Sequence, residues 1–390
     1  MKKVSIWFAL LLAAAAVCVT LAVQRITEPE PVYGPEEKLA EAMALIDRYY
    51  IGEADRDAMT DSAIDGMVQS LGDRWSYYMT AEELASYLEL SENSYVGLGI
   101  VISAAEEGGI RVQSVYAQSP AGEAEVLPGS RFLSVGEKDL REATLDEATL
   151  MIREAIDAGF VRLTLLLPDG TEQTYEMTPA AVLTDPVAYE MLEDGLGLVR
   201  IANFDGHCAE RSIAAIQELT AQGAWGLIFD VRLNPGGQLS ELLELLDYLL
   251  PEGPLFHSED TEGRKTTDYS GPECLELPMA VLVNADSYSA AEFFAAALAE
   301  YDWAVTVGEQ TSGKGYAQTI RPLSDGSALY ISGFRYTTPQ GVSLAGVGLT
   351  PQIAVELSYE DWVRLYADDL PPEEDEQLQA AVEFLQEQQG

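Results

Sequence analysis

The stretch "VGEQTSGKGYAQ" places a lysine, Lys314, in a glycine-rich turn where its amine could do chemistry. Gly308, Gly313 and Lys314 have the G-x-x-x-x-G-K spacing of a phosphate-binding loop, which holds its phosphate at the start of a helix. Such a loop needs a Ser or Thr after the lysine to bind magnesium, and Gly315 has no hydroxyl. The following "YAQTIRPL" predicts a strand, not a helix. The sequence therefore argues against a nucleotide-binding role for this lysine.

Other catalytic groups are scarce. The chain has six lysines, two histidines (His207 and His257) and three cysteines among 390 residues. It contains no G-x-S-x-G elbow, no Ser three residues before a lysine and no C-x-x-C pair. These absences argue against the common serine hydrolases, the penicillin-binding enzymes and a metal centre. We therefore expect neither a metal nor a cofactor.

Two further turns offer partners for Lys314. Ser289 follows an apolar run and opens an alanine-rich helix, so its hydroxyl and the N–H of Ala290 would lie at the same turn. Gly236 and Gly237 also follow an apolar run and precede a helix. Taken alone, Ser289 fits an ordinary N-cap residue, and Pro-Gly-Gly is often only a turn.

The three turns each end a strand of one predicted α/β sheet. Strands and helices alternate after Pro186, which is typical of an α/β core with buried strands. Loops at the carboxyl ends of adjacent parallel strands collect at one edge of the sheet. A lysine shielded from water there would have a lowered pKa and could accept the proton of Ser289. Backbone N–H groups of the glycine turn and of Ala290 could hold the oxyanion, so the pattern predicts acyl transfer by a Ser289/Lys314 dyad.

Helical and strand-rich segments precede this core. The pattern over 38–90 is helical, and Thr80 with Glu83 predicts a capping box. From Tyr95, short apolar or alternating runs predict strands around one helix at 144–159. A final amphipathic helix carries three apolar residues on one face, namely Leu378, Val382 and Leu385.

The N-terminus and the charge bear on location and partners. Residues 4–24 are almost all apolar behind Lys2 and Lys3, so they could cross a bilayer and leave the rest of the chain outside the cytoplasm. We expect an uncleaved membrane anchor, with a cleaved signal sequence and secretion as the alternative. The net charge of −43 excludes nucleic-acid binding. Outside the cytoplasm Cys208 and Cys274 could form a disulfide, although no spacing motif supports it.

Four ordered motifs resemble those of the C-terminal processing peptidases, the tail-specific serine proteases that carry a PDZ domain. They are "LIFDVRLNPGGQL", "LVNADSYSAAEFFAAAL", "VGEQTSGKGYAQ" and "TPQGVSLAGVGLTPQI", and the resemblance covers nearly the whole chain. It implies that Ser289 is the nucleophile, that Lys314 is the general base and that Gln318 orients the lysine. It leaves open which glycine of the Pro-Gly-Gly turn joins Ala290 as an oxyanion donor.

Several residues depart from that family pattern. Ala291 stands where a serine is usual, Tyr288 where a small residue is usual, and Gln352 where an aspartate is usual. Arg74 and Trp75 replace a usual Pro-Tyr pair after "LGD", in a region expected to be helical and away from the chemistry. None of these changes touches the dyad, so we expect it to be functional.

The strand-rich segment is similar to a PDZ domain. Its "YVGLGIVI" resembles the carboxylate-binding loop, in which N–H groups around Gly97, Leu98 and Gly99 would bind the terminal carboxylate of a peptide. Its "SPAGEAEVLPGSRFLSVGE" resembles a second PDZ stretch, with Glu125 and Ser130 at the usual Gly and Asp. Alone, a Gly-x-Gly in a strand is more often a bulge. The resemblance implies protein or peptide substrates with free apolar C-termini.

We therefore predict a multidomain α/β protein, with an α/β protease core, an inserted strand-rich PDZ domain and helical N- and C-terminal segments. The predicted boundaries are 1–25 membrane anchor or signal sequence, 26–36 linker, 37–92 N-terminal helical segment, 93–182 PDZ domain, 183–358 Ser/Lys protease core and 359–390 C-terminal helical tail. The terminal helices are candidates for a homodimer contact.

The predicted function is that of an extracytoplasmic serine endopeptidase that selects proteins by their C-terminal tails. One alternative is a catalytically inactive PDZ scaffold that only binds C-termini, and the presence of both Ser289 and Lys314 argues against it. Another is a Ser/His/Asp hydrolase using His207 or His257. The stretch "NFDGHCAER" around His207 is more typical of a solvated loop.

Overall fold

The computed structural model describes residues 34–105 and 108–389, and the chain divides into two compact units between Met67 and Val68. The predicted membrane segment, residues 1–25, lies outside the described residues. Along the described ranges, no helix combines the length and the apolar character that crossing a membrane requires.

The first unit is helical where it is described. Helix α1 covers Pro35–Tyr49 and helix α2 covers Arg56–Gln69. The guanidinium of Arg56 forms an ion pair with Asp47, which links the two helices. Several large apolar side chains of α1 are exposed to solvent: Leu39, Leu45, Ile46 and Tyr49.

A short strand in the second unit interrupts the predicted run of helices. Strand β1 covers Tyr77–Met79 and helix α3 covers Ala81–Ser91. The predicted capping box of α3 is confirmed, because the Thr80 hydroxyl accepts a hydrogen bond from the Glu83 N–H and the Glu83 carboxylate accepts one from the Thr80 N–H.

Strands dominate the next segment, as the sequence predicts. In chain order its elements are β2 (Ser94–Gly97), β3 (Ile100–Ala104), β4 (Ile110–Val115), α4 (Pro120–Glu123), β5 (Arg131–Val135), β6 (Lys138–Asp139), α5 (Leu145–Asp157), β7 (Val161–Leu166), β8 (Glu172–Met177) and β9 (Ala180–Leu183). An antiparallel sheet has the strand order β3-β4-β5-β7-β8, and β2 pairs with β9. Helix α5 begins after Thr144, as predicted, and packs on the core around Phe132 and Leu163.

The alternation of strands and helices predicted for the core is also confirmed. Its elements are β10 (Val187–Met191), β11 (Leu196–Ile201), α6 (Cys208–Ala221), β12 (Gly226–Asp230), α7 (Leu239–Leu249), β13 (Gly253–Asp260), β14 (Lys265–Ser270), β15 (Met279–Val283), α8 (Ala290–Glu300), β16 (Ala304–Gly308), β17 (Tyr316–Pro322), β18 (Ala328–Thr337), β19 (Ile353–Ala354), α9 (Tyr359–Tyr366) and α10 (Glu376–Gln389). In the described chain the main sheet has the order β10-β11-β12-β15-β16-β19, in which β10 is antiparallel and the others are parallel.

The main sheet is buried on both faces. Alternate side chains such as Phe229 and Val281 pack with residues of α6, α7 and α8, whereas Ile228 and Leu282 pack against α10. A strand covered on both faces has no polar side, which explains why these strands are continuous apolar runs in the sequence. The tail residues predicted to share one face are all buried in this second core: Leu378, Val382 and Leu385.

A second sheet has the order β1-β18-β13-β14, and β17 pairs with the other edge of β18. Tyr77 of β1 pairs with Tyr330, while Gln318 of β17 pairs with Ser332. Strand β18 therefore brings together two segments that are distant in sequence, the one before β1 and the one that follows Lys314.

Strands β12, β15 and β16 are adjacent and parallel, so their carboxyl ends meet at one edge. The loops at that edge are 231–238, 284–289 and 309–315. They contain the glycine turn, Ser289 and Lys314, so the predicted juxtaposition of the three turns is confirmed.

A buried ion-pair network holds the first of these loops to the C-terminal segment. The Arg232 Nη2 lies 2.6 Å from an oxygen of Asp230 and 2.7 Å from one of Asp375, and the side chains are 2%, 7% and 4% exposed. Gln377 accepts a further hydrogen bond from the guanidinium. Because an unpaired buried charge is strongly destabilising, these acceptors fix the position of Arg232.

Asp375→Asn keeps the side-chain shape but removes one carboxylate from Arg232. Because Asp230 remains, we expect the free energy of unfolding to fall by about 2 kcal/mol, measured by urea unfolding at neutral pH.

Glu374→Gln is the matched control for this variant, because Glu374 pairs with Arg364 through side chains that are 55% and 30% exposed. A surface pair of this kind should contribute less than about 1 kcal/mol. Equal losses in the two variants would contradict a special role for the buried network.

Candidate active site

Ser289 connects β15 to α8 through an unusual backbone conformation. Its φ of 60° and ψ of −120° lie in a region that non-glycine residues rarely adopt. Within the described chain, its side chain makes no capping hydrogen bond to α8, so it does not act as an ordinary N-cap. Neighbouring loops hold this turn, since the Ser287 hydroxyl donates to the Val231 carbonyl and the Tyr288 N–H donates to the Asn234 carbonyl.

The glycine turn lies directly against Ser289. A side chain at Gly236 would place its Cβ 2.8 Å from the Ser289 Cβ and 2.9 Å from the Ala290 nitrogen. The Gly236 N–H donates to the side-chain oxygen of Asn234 at 2.8 Å. Among the described residues, no acceptor takes a hydrogen bond from the Gly237 N–H, which leaves that group available to a ligand.

Lys314 is nearly buried, with 8% of its surface exposed. Burial lowers the pKa of its amine to about 8, although the carboxylates of Asp73 and Glu292 oppose the shift. The hydroxyl of Tyr336 donates to the Lys314 carbonyl. Burial also raises the pKa of Tyr336, and a hydrogen bond with the Ser289 side chain opposes that rise. Tyr336 therefore contacts both members of the predicted dyad.

Glu292 joins the Ser289 helix to the Lys314 loop. Its Oε2 accepts hydrogen bonds from the Gly313 and Lys314 N–H groups at 3.1 and 3.2 Å. The side chain is fully buried, and its Oε1 has no partner in the described part of the chain. Burial raises the pKa of Glu292 to about 7, against the opposing effect of backbone N–H groups and of the Lys314 charge.

Trp75 also lies at this site, so its predicted position away from the chemistry is wrong. The Lys314 Nζ is 4.7 Å from the Trp75 ring centroid and 5.8 Å from that of Tyr288, and the two rings are 5.4 Å apart. Trp75 precedes β1 instead of lying in a helix, and the pairing of β1 with β18 carries it to the lysine. This long-range pairing has no signal in the local sequence pattern.

Gln318 lies on β17, close to this group. Its Nε2 donates to the Ser332 hydroxyl at 3.1 Å, and the Ser332 hydroxyl donates to Asp73 at 2.7 Å. No hydrogen bond of the described residues joins Gln318 to the Lys314 amine, so its orienting role stays a prediction.

Asp73 was missed by sequence reasoning. Burial favours its protonated form, but two serine hydroxyls, a backbone N–H and the Lys314 charge lower the pKa of Asp73 overall.

A small apolar cavity opens beside Ser289. Its volume is about 50 Å³, and Gly237 and Ala290 line it together with the serine. The apolar part of its wall consists of Leu239, Leu242, Phe256, Phe293, Ala317 and Tyr336. A water molecule needs roughly 10–15 Å³ of such volume, so this cavity has room for a small apolar side chain.

The histidines are engaged elsewhere. The Nδ1 of His207 lies 3.7 Å from Glu210 at the start of α6, with the His207 side chain 46% exposed. The ring nitrogens of His257 contact the Thr267 hydroxyl and the Pro339 carbonyl. Neither imidazole has a hydrogen bond to Ser289 within the described ranges.

Among the described residues, the cysteines form neither a disulfide nor part of a metal site. Cys208 and Cys274 are both free thiols, so the disulfide considered from the sequence is not formed. Burial raises the pKa of Cys208 to about 12. In the part of the chain described, no group of three or more His, Cys, Asp or Glu side chains is arranged to hold a metal ion.

The predicted carboxylate-binding loop lies between β2 and β3. Gly97 pairs with Ala180, and the Leu98 carbonyl accepts a hydrogen bond from the Ala121 N–H at 2.9 Å. Gly99 has a φ of 75°, and a Cβ there would lie 2.2 Å from the Ser119 side chain. The loop therefore requires glycine at this position for both its conformation and its packing.

Two family models match the chain. The model of peptidase family S41 matches residues 195–355, which contain the three loops of the candidate active site. The model of the N-terminal domain of the activating protease CtpB matches residues 22–83, which contain Asp73 and Trp75.

Curated relatives and solved structures are also similar. A CtpA-like serine protease of Staphylococcus epidermidis is 30% identical over 323 residues, which are 82% of this chain and 65% of that protein. The carboxy-terminal processing protease CtpA of Bacillus subtilis is 31% identical over 323 residues, 82% of this chain and 69% of that protein. An S41 protease structure from Bacteroides fragilis shares the fold, with a TM-score of 0.53 and 16% identity over 92% of this chain and 99% of that one. The matched part of the chain, at 65%, spans less than two thirds of the length of the Staphylococcus relative.

The raised pKa of Glu292 predicts a pH-dependent contribution to stability. An unfolded glutamate ionises near its ordinary pKa of 4.5, whereas the folded protein keeps Glu292 protonated up to about pH 7. Rising pH therefore favours the unfolded chain across this window. Relative to the wild type, Glu292→Gln should become more stable by about 2 kcal/mol between pH 5 and pH 8.

Urea unfolding of both proteins, each carrying Ser289→Ala to prevent self-cleavage, measures this difference. Both pH values lie above the isoelectric point of about 4.1, where the protein should remain soluble. A difference between the two proteins that is the same at pH 5 and pH 8 would show that Glu292 ionises normally.

Proposed function

Because this chain belongs to the C-terminal processing proteases of peptidase family S41, we propose that it is a serine endopeptidase that cleaves proteins selected by their C-terminal tails. Ser289 is the nucleophile and Lys314 is the general base. The observation that carries the proposal is the burial of the Lys314 amine beside the Ser289 turn. Glu292 hydrogen-bonds the Lys314 loop to the helix that begins after Ser289.

Acylation would begin with proton transfer from the Ser289 hydroxyl to the neutral Lys314 amine while the oxygen attacks the scissile carbonyl. The resulting ammonium then donates its proton to the leaving amine as the peptide bond breaks. In deacylation the neutral amine takes a proton from water as the water oxygen attacks the acyl carbonyl, and the ammonium returns that proton to the Ser289 oxygen when the ester bond breaks. A pKa of about 8 keeps a useful fraction of the amine neutral near physiological pH.

The oxyanion donors would be the N–H groups of Ala290 and Gly237. The free N–H of Gly237 favours this glycine over Gly236, whose N–H is bonded to Asn234. Both proposed donors line the cavity at Ser289. Preorganised donors of this kind stabilise the charge of the tetrahedral intermediate. The same cavity would accept a small apolar side chain from the residue whose carbonyl is attacked.

Tail selection is assigned to the strand-rich segment 93–182, read as a PDZ domain. In the described sheet β3 is an edge strand, next to α5 and directly after the loop 97–99. An extended peptide could add to this edge while N–H groups of the loop bind its carboxylate.

The remaining domain assignments belong to the same proposal. The α/β core 183–358 would carry catalysis, and the apolar residues 1–25 would anchor the chain with its catalytic part outside the cytoplasm. The exposed apolar side chains of α1 support a homodimer contact through the terminal helices.

The dyad predicts which substitutions abolish peptide hydrolysis. Ser289→Ala and Lys314→Ala should each lower kcat/KM by at least about a thousandfold, because the nucleophile and its base act as a unit. Hydrolysis of a fluorogenic peptide with a free apolar C-terminus measures the loss.

His207→Ala and His257→Ala are the controls and should retain most of the activity. A folded histidine variant without activity, together with an active Lys314→Ala, would replace the dyad by a histidine mechanism. A wild-type protein that binds such peptides without cleaving them would instead be the inactive scaffold.

The PDZ assignment predicts that a peptide with a free C-terminal carboxylate is cleaved faster than its amidated twin. Charge-assisted hydrogen bonds to a carboxylate are roughly twice as strong as neutral ones, so we expect about a tenfold difference in kcat/KM. Gly99→Val should shrink this preference, since a side chain there displaces the loop against Ser119.

Gly170→Val is the matched control, because Gly170 also has a positive φ but a Cβ there meets no atom within 4 Å. It lies in the β7–β8 turn, away from the edge strand β3. Equal cleavage of the free and amidated peptides by the wild type would show that this segment does not select C-termini.

A further inference from the structure

Two aromatic rings cover Lys314, and the catalytic steps above use neither of them. The amine faces the ring of Trp75 at 4.7 Å and that of Tyr288 at 5.8 Å. In the family pattern a tyrosine is usual at the position of Trp75 and a small residue at that of Tyr288, so the indole ring and the second ring are features of the present chain.

Such a cover distinguishes between the two protonation states of the lysine. The face of an indole ring attracts an ammonium ion within about 6 Å, whereas a neutral amine is attracted far less. Lys314 would be neutral before acylation and positively charged once it has taken the Ser289 proton. The attraction is therefore stronger in the transition state than in the ground state, which is the condition for an effect on catalysis.

The position of Trp75 is fixed by the fold. Strand β1 pairs with β18, and the backbone N–H of Trp75 donates to the Asp73 carboxylate at 3.0 Å. The guanidinium of Arg74 lies 4.3 Å from the Trp75 ring centroid and donates to the Ser312 hydroxyl. The ring thus connects the segment before β1 to the loop that carries the lysine.

The charged groups around the amine come from two elements. Asp73 faces it from the segment before β1, and Glu292 faces it from α8. Both carboxylates favour the ammonium, as does the Trp75 ring, whereas burial disfavours it. The Trp75 ring combines the two effects, because it both excludes water and attracts the cation, and the more distant Tyr288 ring does so more weakly.

We propose that Trp75 is a positioning residue that acts through Lys314, its ring face stabilising the ammonium that forms when the lysine accepts the Ser289 proton. Tyr288, whose ring centroid is farther from the amine, contributes less. The inference deepens the proposed Ser289/Lys314 mechanism and rests on it.

The pH profile of Trp75→Leu provides the diagnostic test. Leucine keeps the amine covered by apolar atoms but has no ring face, so the ammonium loses its attraction. The plateau value of kcat above the pKa should fall about tenfold, and the midpoint of the rising limb should move down by about one pH unit. Below the midpoint, the lower plateau of kcat and the lower pKa of the lysine offset each other. The kcat values of Trp75→Leu and the wild type should therefore converge at acidic pH, while KM stays nearly unchanged.

Trp75→Phe, with a weaker ring face, should give an intermediate plateau, and it remains informative if Trp75→Leu does not fold. Tyr288→Phe keeps the second ring and should leave the midpoint unchanged. A loss by the same factor at every pH would mean that Trp75 is only structural. A midpoint that moves up, or a plateau that rises, would mean that the ring chiefly excludes water or blocks the site. Each of these outcomes overturns the inference.

A second measurement does not depend on peptidase activity. In proteins carrying Ser289→Ala, the rate at which cyanate carbamoylates Lys314 is followed by mass spectrometry as a function of pH. The midpoint should be about one pH unit lower with Trp75→Leu than without it. If Lys314→Ala still cleaves peptides, the proposed function fails, whatever the midpoints are. If cleavage requires Lys314 but the two midpoints coincide, the inference about Trp75 alone is overturned.

Discussion

The exclusion of water from the Lys314 amine is the constraint on which the candidate active site depends. Two carboxylates, Asp73 and Glu292, act to keep the amine protonated, yet burial outweighs them and leaves its pKa at about 8. The balance requires both acids to be near, because a buried ammonium without a counter-charge would destabilise the fold. The same burial also acts on Glu292 and raises the pKa of its carboxyl to about 7.

The loops around the amine are arranged to maintain this balance. Glu292 accepts from the backbone at Gly313 and Lys314, and its helix begins at the strained turn of Ser289. A residue in such a conformation costs about 1–3 kcal/mol and persists only where its surroundings impose it. Hydrogen bonds from Ser287 and Tyr288 to the neighbouring loop supply that restraint. The geometry of the nucleophile and the shielding of its base are therefore two results of the same packing.

The sequence predicted those parts of the structure that depend on local pattern. The apolar runs before Gly236, Ser289 and Lys314 identified three strands, and their alternation with helices implied that the turns meet at one edge. The predicted capping box at Thr80 and the predicted start of a helix at Thr144 are both confirmed, and the second helix also begins with a capping box. Signals of this kind are local because hydrogen bonds within a few residues determine them.

Pairing between distant segments could not be predicted in this way. Trp75 was expected in a helix, but β1 joins β18 and brings the ring to Lys314. The link between Gln318 and Asp73 through Ser332 depends on the same pairing. Glu125 shows a related limit: it stands where the resemblance implies glycine, and it keeps a positive φ of 54°. A sequence motif describes such a position only by its usual residue type. The fold imposes the same backbone conformation whichever residue is present.

The ion pair between Arg232 and Asp375 has a consequence for how the active site forms while the chain is synthesised. A ribosome completes Ser289 and Lys314 well before it reaches Asp375, so a nascent chain carries both catalytic groups while Arg232 still lacks its second carboxylate. Helix α10, which covers one face of the main sheet, is also missing at that stage. The loop with the glycine turn thus acquires its final support only when the C-terminal segment docks.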